Sequence, residues 1–399
     1  MVAARRLVID LIAAEQARLL REKRLSPRQR IEVALAACPP GEEGEIEIGE
    51  EALGFDSLML LDLVHVVSRY FCMGDSGAED LLLVHRRLDD WACIIVAHFN
   101  RLASNARIAF ETSGTTGTPK RIVHPLRLLA EEADEQFRTV LRAPSGPMRI
   151  LGAVPPRHIY GFIWTVLLPR IAGAAVVELH WSAEGAMFRL CKPGDVVIGT
   201  PFIWERAVAA GARLPPGVTG VTSAGPSTDA TWRAAEILGL ERFVEVYGST
   251  ETGGVGWRET RLDAFRLFGR LERHEDGRSL TRGGTDLAVP DRLTWSDDGR
   301  FSLGGRRDAV VQVAGTNVSC DAVAAVLEGM DGVADAAVRL DGDRVVALVV
   351  PDRLDSDLEK LEYELRMRVI RELPAAARPV RFGFAKALPR NEMGKLAAW

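Results

Sequence analysis

Thr112-Ser113-Gly114-Thr115-Thr116-Gly117-Thr118-Pro119-Lys120 is a run of glycine and hydroxyl residues closed by a lysine, and it follows directly on the β-rich stretch Arg107–Phe110. Small residues let backbone N–H and hydroxyl groups approach phosphate oxygens closely, and a lysine at the end adds a charge that can follow them. A polar β-turn with no ligand would also use such residues. A P-loop NTPase is the poorer reading, because Pro119 precedes Lys120 and Arg121 follows it, so the GxxxxGK[ST] step is missing.

Working outward, short β-rich runs (Val176–Leu179, Asp195–Gly199) alternate with helical ones (Leu126–Leu141, Thr228–Leu238). With Arg107–Phe110 they predict an α/β domain with a largely parallel sheet. Upstream the pattern is helical. Leu60, Val64, Val67 and Phe71 form one apolar face of a helix opening at Asp56-Ser57, and Trp91, Ile94, Ile95 and Phe99 form another between Asp89 and Leu102. Past Gly304-Gly305 an α+β tail is expected: a strand at Ala309–Val313, a helix near Asp321–Leu327, paired strands Ala336–Leu340 and Val345–Val350, and a helix from about Asp355 to Glu372. The expected divisions are a helical segment 1–104, an α/β core 105–305 and a small C-terminal domain 306–399.

Composition narrows the function. The 399 residues are 47% hydrophobic and 26% charged, ordinary for a soluble globular protein, and a net charge of −5 argues against nucleic acid as a partner. No apolar run approaches the roughly 18 residues needed to cross a membrane, and the amphipathic N-terminus is cut by Asp10 and Glu15. Five scattered cysteines without a CxxC read as reduced thiols of a cytoplasmic protein.

The segment SGTTGTPK resembles the phosphate loop of the acyl-adenylate-forming superfamily, which includes acyl- and aryl-CoA ligases, peptide-synthetase adenylation domains and luciferases. Further resemblances follow in the family's order. Pro155-Pro156-Arg157-His158-Ile159-Tyr160-Gly161-Phe162 is similar to its PxxHxxG-aromatic segment, Ser223-Ala224-Gly225-Pro226 to the turn along adenine, and Tyr247-Gly248-Ser249-Thr250-Glu251 to YGxTE. Asp291 lies fifteen residues before Arg306, the family's interval between its ribose-binding Asp and the Arg of its GRxD hinge. Gly305-Arg306-Arg307-Asp308 resembles that hinge, and Leu388-Pro389-Arg390-Asn391-Glu392-Met393-Gly394-Lys395 resembles the terminal LPRTxxGK.

The resemblance implies a carboxylate attacking the α-phosphate of ATP, with pyrophosphate leaving and an acyl-AMP formed, followed by transfer to a thiol. Two anions must meet, so the site has to neutralise charge as it develops. By resemblance, Thr112, Ser113, Gly114, Thr115, Thr116 and Gly117, followed by Lys120, hold the β- and γ-phosphates. Glu251 binds Mg²⁺ and Thr250 donates to the α-phosphate. Ala224, Gly225, Pro226, Tyr247 and Gly248 surround the nucleotide, Asp291 takes the ribose hydroxyls, and Arg306 assists. Lys395 reaches in from a tail that turns about Asp308, and His158 lines the passage for carboxylate and thiol. Tyr160, Phe162, Trp164, Ser223 and Ser249 are the expected substrate pocket; packing alone would also account for the aromatics.

The chain also departs from the family. The usual TGD around the ribose carboxylate is reduced to Pro290-Asp291-Arg292, and the lysine expected six residues after the hinge arginine is Gln312. The phosphate loop starts early, and a β subdomain between Glu251 and Arg306 is trimmed. In place of the usual N-terminal part stands Leu53-Gly54-Phe55-Asp56-Ser57-Leu58, which resembles the phosphopantetheine-attachment segment of acyl carrier proteins. Either Ser57 bears a prosthetic thiol that accepts the acyl group within the same molecule, or Asp56-Ser57 is simply a helix cap. Short length, PPRHIYGFIWTVLLP and the GFDSL helix together resemble the small bacterial 4-coumarate–CoA ligases of the photoactive-yellow-protein type and related aryl-acid ligases. An aryl or hydroxycinnamic acid is therefore expected, 4-coumarate first, with ATP, Mg²⁺ and CoA as cosubstrates. The rivals are an enzyme loading a phosphopantetheine carrier, in cis on Ser57 or in trans, and a degenerate non-catalytic binding protein.

Overall fold

The main N-terminal helices are α1 (Val2–Arg21), α2 (Ile31–Ala37), α3 (Ser57–Phe71) and α4 (Leu88–Leu102). In α3 the spacing of Leu60, Val64, Val67 and Phe71 does what it predicts: all four are buried. Asp56 starts the helix by accepting from the backbone N–H groups of Leu58 and Met59, two donors that a helix N-terminus otherwise leaves unsatisfied. The structure is a computed structural model that describes the chain except residues 23–24, 26–29, 40, 112–119, 144–145, 181–186, 275–278, 307–309, 314–315, 343, 354–356, 392 and 398, and except the side chains of 187, 305–306, 310–313 and 316–317.

Two compact units make up the fold. The first is Met1–Asp263 with Phe268–Arg270; the second is Ala264–Leu267 with Leu271–Trp399. The N-terminal helices thus share one unit with the α/β part. In it β1 (Arg107–Glu111) and β2 (Arg121–Pro125) form an antiparallel pair, with Glu111 opposite Arg121. This corrects the expectation that Arg107–Phe110 belongs to the parallel sheet. Only residues 112–120 separate the two strands, fewer than the dozen or more that a parallel crossover needs, so the partner strand runs antiparallel.

The helix α5 (Leu126–Thr139) follows, and then β3 (Arg149–Gly152). A continuous helical stretch comes next: α6 (Ile159–Phe162), a π-helical segment Ile163–Leu167, and α7 (Leu168–Ala172). The remaining elements of this unit are β4 (Ala175–Glu178), β5 (Val196–Gly199), α8 (Pro201–Ala209), β6 (Thr219–Thr222), α9 (Asp229–Leu238), β7 (Arg242–Ser249) and β8 (Gly253–Arg258). The strands run β4-β3-β5-β6-β7-β8. All pairings are parallel up to β7, and β8 returns antiparallel. Leu151, Val197, Trp204, Leu238 and Phe243 form the core under α8 and α9, with Trp204 edge-on to Phe243 at 5.6 Å. Burying each such side chain contributes about 1.5–3 kcal/mol.

In the second unit, β9 (Asp291–Trp295) pairs antiparallel with β10 (Phe301–Arg306), and β11 (Val310–Val313) with β12 (Thr316–Ser319). Then come α10 (Cys320–Glu328), β13 (Val333–Asp341), β14 (Arg344–Pro351), α11 (Leu358–Glu372) and β15 (Arg381–Phe384). The order is β13-β14-β15, antiparallel and then parallel. Leu327, Ala347, Val349, Leu365 and Phe382 close its core. Among the described residues no helix is long and apolar enough to cross a membrane.

Candidate active site

Parallel pairing puts the C-terminal ends of β3, β5, β6 and β7 on one edge of the sheet, where open α/β sheets bind ligands. Three of the motif segments follow directly from those ends: Pro155–Phe162 after β3, Ser223–Pro226 after β6 and Tyr247–Glu251 at the end of β7. Tyr160 ties the edge together. Its hydroxyl donates to the carbonyls of Gly199 (3.1 Å) and Val221 (3.0 Å), at the ends of β5 and β6. One proton serves two acceptors, and burial pushes the phenol well above its ordinary pKa, so it stays a neutral donor. Gly161 is needed for close approach, since a Cβ there would lie 2.1 Å from the Pro155 carbonyl oxygen.

The turn after β7 is built from both sides. Gly248 must be glycine, because a Cβ would meet the Gly253 carbonyl oxygen at 2.3 Å. The hydroxyls of Ser249 and Thr252 lie 3.1 Å apart and each accepts from the other residue's backbone N–H. From β2, His124 donates through Nε2 to the Thr250 carbonyl at 2.7 Å. The β1–β2 pair is therefore joined to the Thr250-Glu251 turn, and Glu251 itself is exposed.

Two buried carboxylates that hold these turns escaped the sequence reading. Glu132, fully buried on α5, accepts from the Gly254 backbone N–H at 2.6 Å and from Gln136 Nε2 at 2.8 Å, and it lies 3.1 Å from Arg270 Nη2. Glu245 on β7 accepts from the backbone N–H of Ser227 at 3.2 Å and from Arg258 Nε at 2.7 Å, which holds the loop after β6 against β7. A signal existed for Glu132: with Leu129, Ala133 and Gln136 it occupies the i, i+3, i+4, i+7 frame of the buried helix face.

The expected pocket aromatics do not share one side. Tyr160 and Trp164 stand edge-on at 6.4 Å, whereas Phe162 turns to Phe110 of β1 at 5.5 Å. Helical spacing is the reason, since i and i+4 lie on one face and i+2 on another. All three are buried. Ser223 is buried as well, and Ala224 adopts a left-handed backbone at φ 73°, a conformation in which a residue with a Cβ is strained. His158 is half-buried at the N-cap of α6.

In the second unit, Asp291 of β9 stands directly opposite Arg306 of β10. Lys395 is exposed on a terminal loop shaped by Asn391, whose side-chain oxygen accepts from the backbone N–H groups of Met393 and Lys395 at 3.0 Å each. Lys120 is exposed. Thr112, Ser113, Gly114, Thr115, Thr116, Gly117 and Asp308 lie outside the described residues, as does the side chain of Arg306.

Residues 105–282 match the family described as AMP-binding enzyme, and residues 322–395 match the AMP-binding enzyme C-terminal domain. The chain is 45% identical over 395 residues to a 4-coumarate–CoA ligase of Cereibacter sphaeroides, covering 99% of this chain and 95% of that one. It is 40% identical over 399 residues to a 4-coumarate–CoA ligase of Rhodobacter capsulatus, covering 99% of both. Among solved structures it is similar to an ATP-bound RpMatB-BxBclM chimera (TM-score 0.63, 19% identity, 97% of this chain and 91% of that one). It is also similar to the O-succinylbenzoate CoA synthetase of Bacillus subtilis with AMP (TM-score 0.56, 19% identity, 72% and 67%).

Proposed function

This chain belongs to the AMP-binding enzyme family and is an AMP-forming acid–thiol ligase; we propose that its acid is an aryl or hydroxycinnamic acid, 4-coumarate first, and its thiol that of CoA. The observation that carries the reading is the meeting of the His158, Ser223–Pro226 and Tyr247–Glu251 segments on one sheet edge, with Tyr160 donating to the two strand ends between them. Relatives named 4-coumarate–CoA ligase, matched over nearly their whole length, support the choice of acid.

In this reading the 112–117 loop and Lys120 hold the ATP phosphates, Thr250 donates to the α-phosphate, and the adenine lies along Ala224-Gly225-Pro226 and Tyr247. Asp291 takes the ribose, and residues 306–399 act as a lid turning at Asp308 to bring Lys395 to the reacting groups. Glu251 is an exposed carboxylate on a turn fixed by His124 and Thr252. Such a hard oxygen donor suits Mg²⁺, which keeps several waters and binds through one or two carboxylates plus phosphates. Mg²⁺ would neutralise charge on the phosphates, and His158 lines the passage for acid and thiol. The cytoplasm is the compartment in which ATP and CoA meet such an acid. Pyrophosphate release measured across a panel of aryl acids, followed by CoA-thioester formation, tests the proposal. We expect 4-coumarate to give the highest kcat/KM and aliphatic acids to give little; a preference for an aliphatic acid would overturn it.

A second acceptor thiol is favoured by one observation. In Leu53–Leu58, Leu53 and Phe55 are buried, Gly54 takes a left-handed φ of 75°, and Asp56 caps α3, so each has a structural task. Ser57, by contrast, is exposed and Leu58 is 70% exposed. After co-expression with a phosphopantetheinyl transferase, intact mass is expected to rise by one phosphopantetheine arm in the wild type and not in Ser57→Ala. An unchanged wild-type mass removes this reading.

A further inference from the structure

α1 carries a carboxylate where its pattern calls for an apolar side chain. Asp10 sits among the buried Leu7, Val8, Leu11 and Ile12 and is itself fully buried. A carboxylate so placed needs charged or hydrogen-bonding partners, and Asp10 finds them far along the chain. Its Oδ2 accepts from the backbone N–H of Arg157 at 3.0 Å, and its Oδ1 from Arg157 Nη1 at 2.6 Å. His180 Nε2 lies 3.4 Å from Asp10 Oδ1, and His180 Nδ1 lies 3.0 Å from Glu178 Oε2. Glu178 is paired with Arg6, and Arg6 Nη1 donates to the Thr165 carbonyl at 3.0 Å in the π-helical segment.

The cluster therefore joins α1 to the chain on both sides of His158. Burial disfavours the charged form of His180, but the flanking Asp10 and Glu178 outweigh it and hold the imidazole up at about 9. Burial likewise raises Asp10, and His180 and Arg157 more than offset that, keeping its carboxyl below the ordinary value. At neutral pH His180 is therefore held as the imidazolium and Asp10 as the carboxylate.

Asp10 grips Arg157 twice, by main chain and by side chain, which fixes both the position and the orientation of the peptide just before His158. Beyond that peptide the backbone is equally confined. His158 N–H donates to the Pro155 carbonyl at 3.3 Å, and its carbonyl accepts from Phe162 N–H at 2.7 Å. We infer that Asp10 is a positioning residue for the active site: through Arg157 it sets His158 at the carboxyl edge of the sheet, which makes the N-terminal helix part of the catalytic apparatus. This rests on the reading of His158 as lining the acid and thiol passage.

The test compares folded wild type, Asp10→Asn, His158→Ala and the double variant for pyrophosphate release and CoA-thioester formation with 4-coumarate. Asp10→Asn keeps the side-chain shape but presents an amide N–H where Arg157 needs an acceptor. Displacements of about 1 Å can cost as much as 10²-fold in rate. Asp10→Asn is therefore expected to lower kcat by about 10- to 100-fold with KM for ATP unchanged, and to have less than about a two-fold effect once His158 is alanine. Equal losses in both backgrounds would mean that Asp10 only supports the fold and would overturn the inference. An unimpaired His158→Ala would defeat the reading of His158 and the inference with it. Arg157→Lys keeps the positive charge and the backbone grip, and it serves the same comparison should Asp10→Asn not fold. It is expected to show a smaller loss that is likewise absent in the His158→Ala background.

Discussion

Lys395→Ala is expected to slow acyl-adenylate formation by on the order of 10²–10³-fold while leaving the fold intact. In the first half-reaction a carboxylate approaches the α-phosphate, and negative charge concentrates between them as the bond to pyrophosphate breaks. An ammonium bridging the two groups acts where that charge develops, so its removal raises the barrier more than it weakens ground-state binding. The fold has little to lose. The Lys395 side chain is exposed, and its loop is shaped by contacts that alanine would keep: Asn391 N–H to the Lys395 carbonyl at 2.8 Å, Lys395 N–H to Asn391 Oδ1 at 3.0 Å, and Arg390 to Asp335 at 2.7 Å. Pyrophosphate release and thermal unfolding measured on one preparation check this. A wild-type adenylation rate in the variant would sink the assignment, and a large loss of melting temperature would mean the loss of rate came from unfolding.

Glu132→Ala is expected to be the most damaging single change to the adenylating unit. Removing one partner of a buried ion pair costs about 3–5 kcal/mol, because the other charge stays buried. Arg270 keeps Glu135 at 2.6 Å and also donates to the Gly254 carbonyl, but it loses the fully buried one of the two α5 carboxylates that face it. The Gly254 N–H loses its acceptor, and Gln136 loses the carboxylate that orients it. Gly253 and Gly254 open β8 directly after the Ser249–Thr252 turn, so loss of adenylation is expected along with loss of stability. Glu132→Gln keeps the shape and an acceptor for Gly254 while removing the charge, and should fall between the two. Urea unfolding of the three proteins decides it: an alanine variant within about 0.5 kcal/mol of wild type, where ordinary surface changes fall, would show that Glu132 does not hold the turn.

Local features of the chain were legible in one dimension because they depend on residue spacing and turn geometry. Asp56-Ser57 marked a helix start, which Asp56 caps, whereas the close backbone approach at Gly161 and Gly248 emerged only in three dimensions. The buried face of α3 was readable from spacing alone. Pocket assignments from segment membership fared less well, since Phe162 and Trp164 are neighbours in sequence yet turn to different partners. Arg107–Phe110 read as a strand correctly, but its antiparallel partner depended on how the chain returns after the loop, which strand propensity does not specify.

The sequence by itself determined which residue types the chain presents and in what order: hydroxyl and glycine residues at 112–118, a carboxylate at Glu251 and a lysine at Lys395. Only the tertiary structure decided what holds those groups in place. Asp10 meets Arg157 across 147 residues, His124 meets Thr250 across 126, and Glu132 meets Gly254 across 122. Periodicity reports which face of an element is buried, and a charged residue on a buried face announces that a partner must exist. It cannot say which, because the partner stands on an element distant in the chain, which only tertiary packing brings alongside.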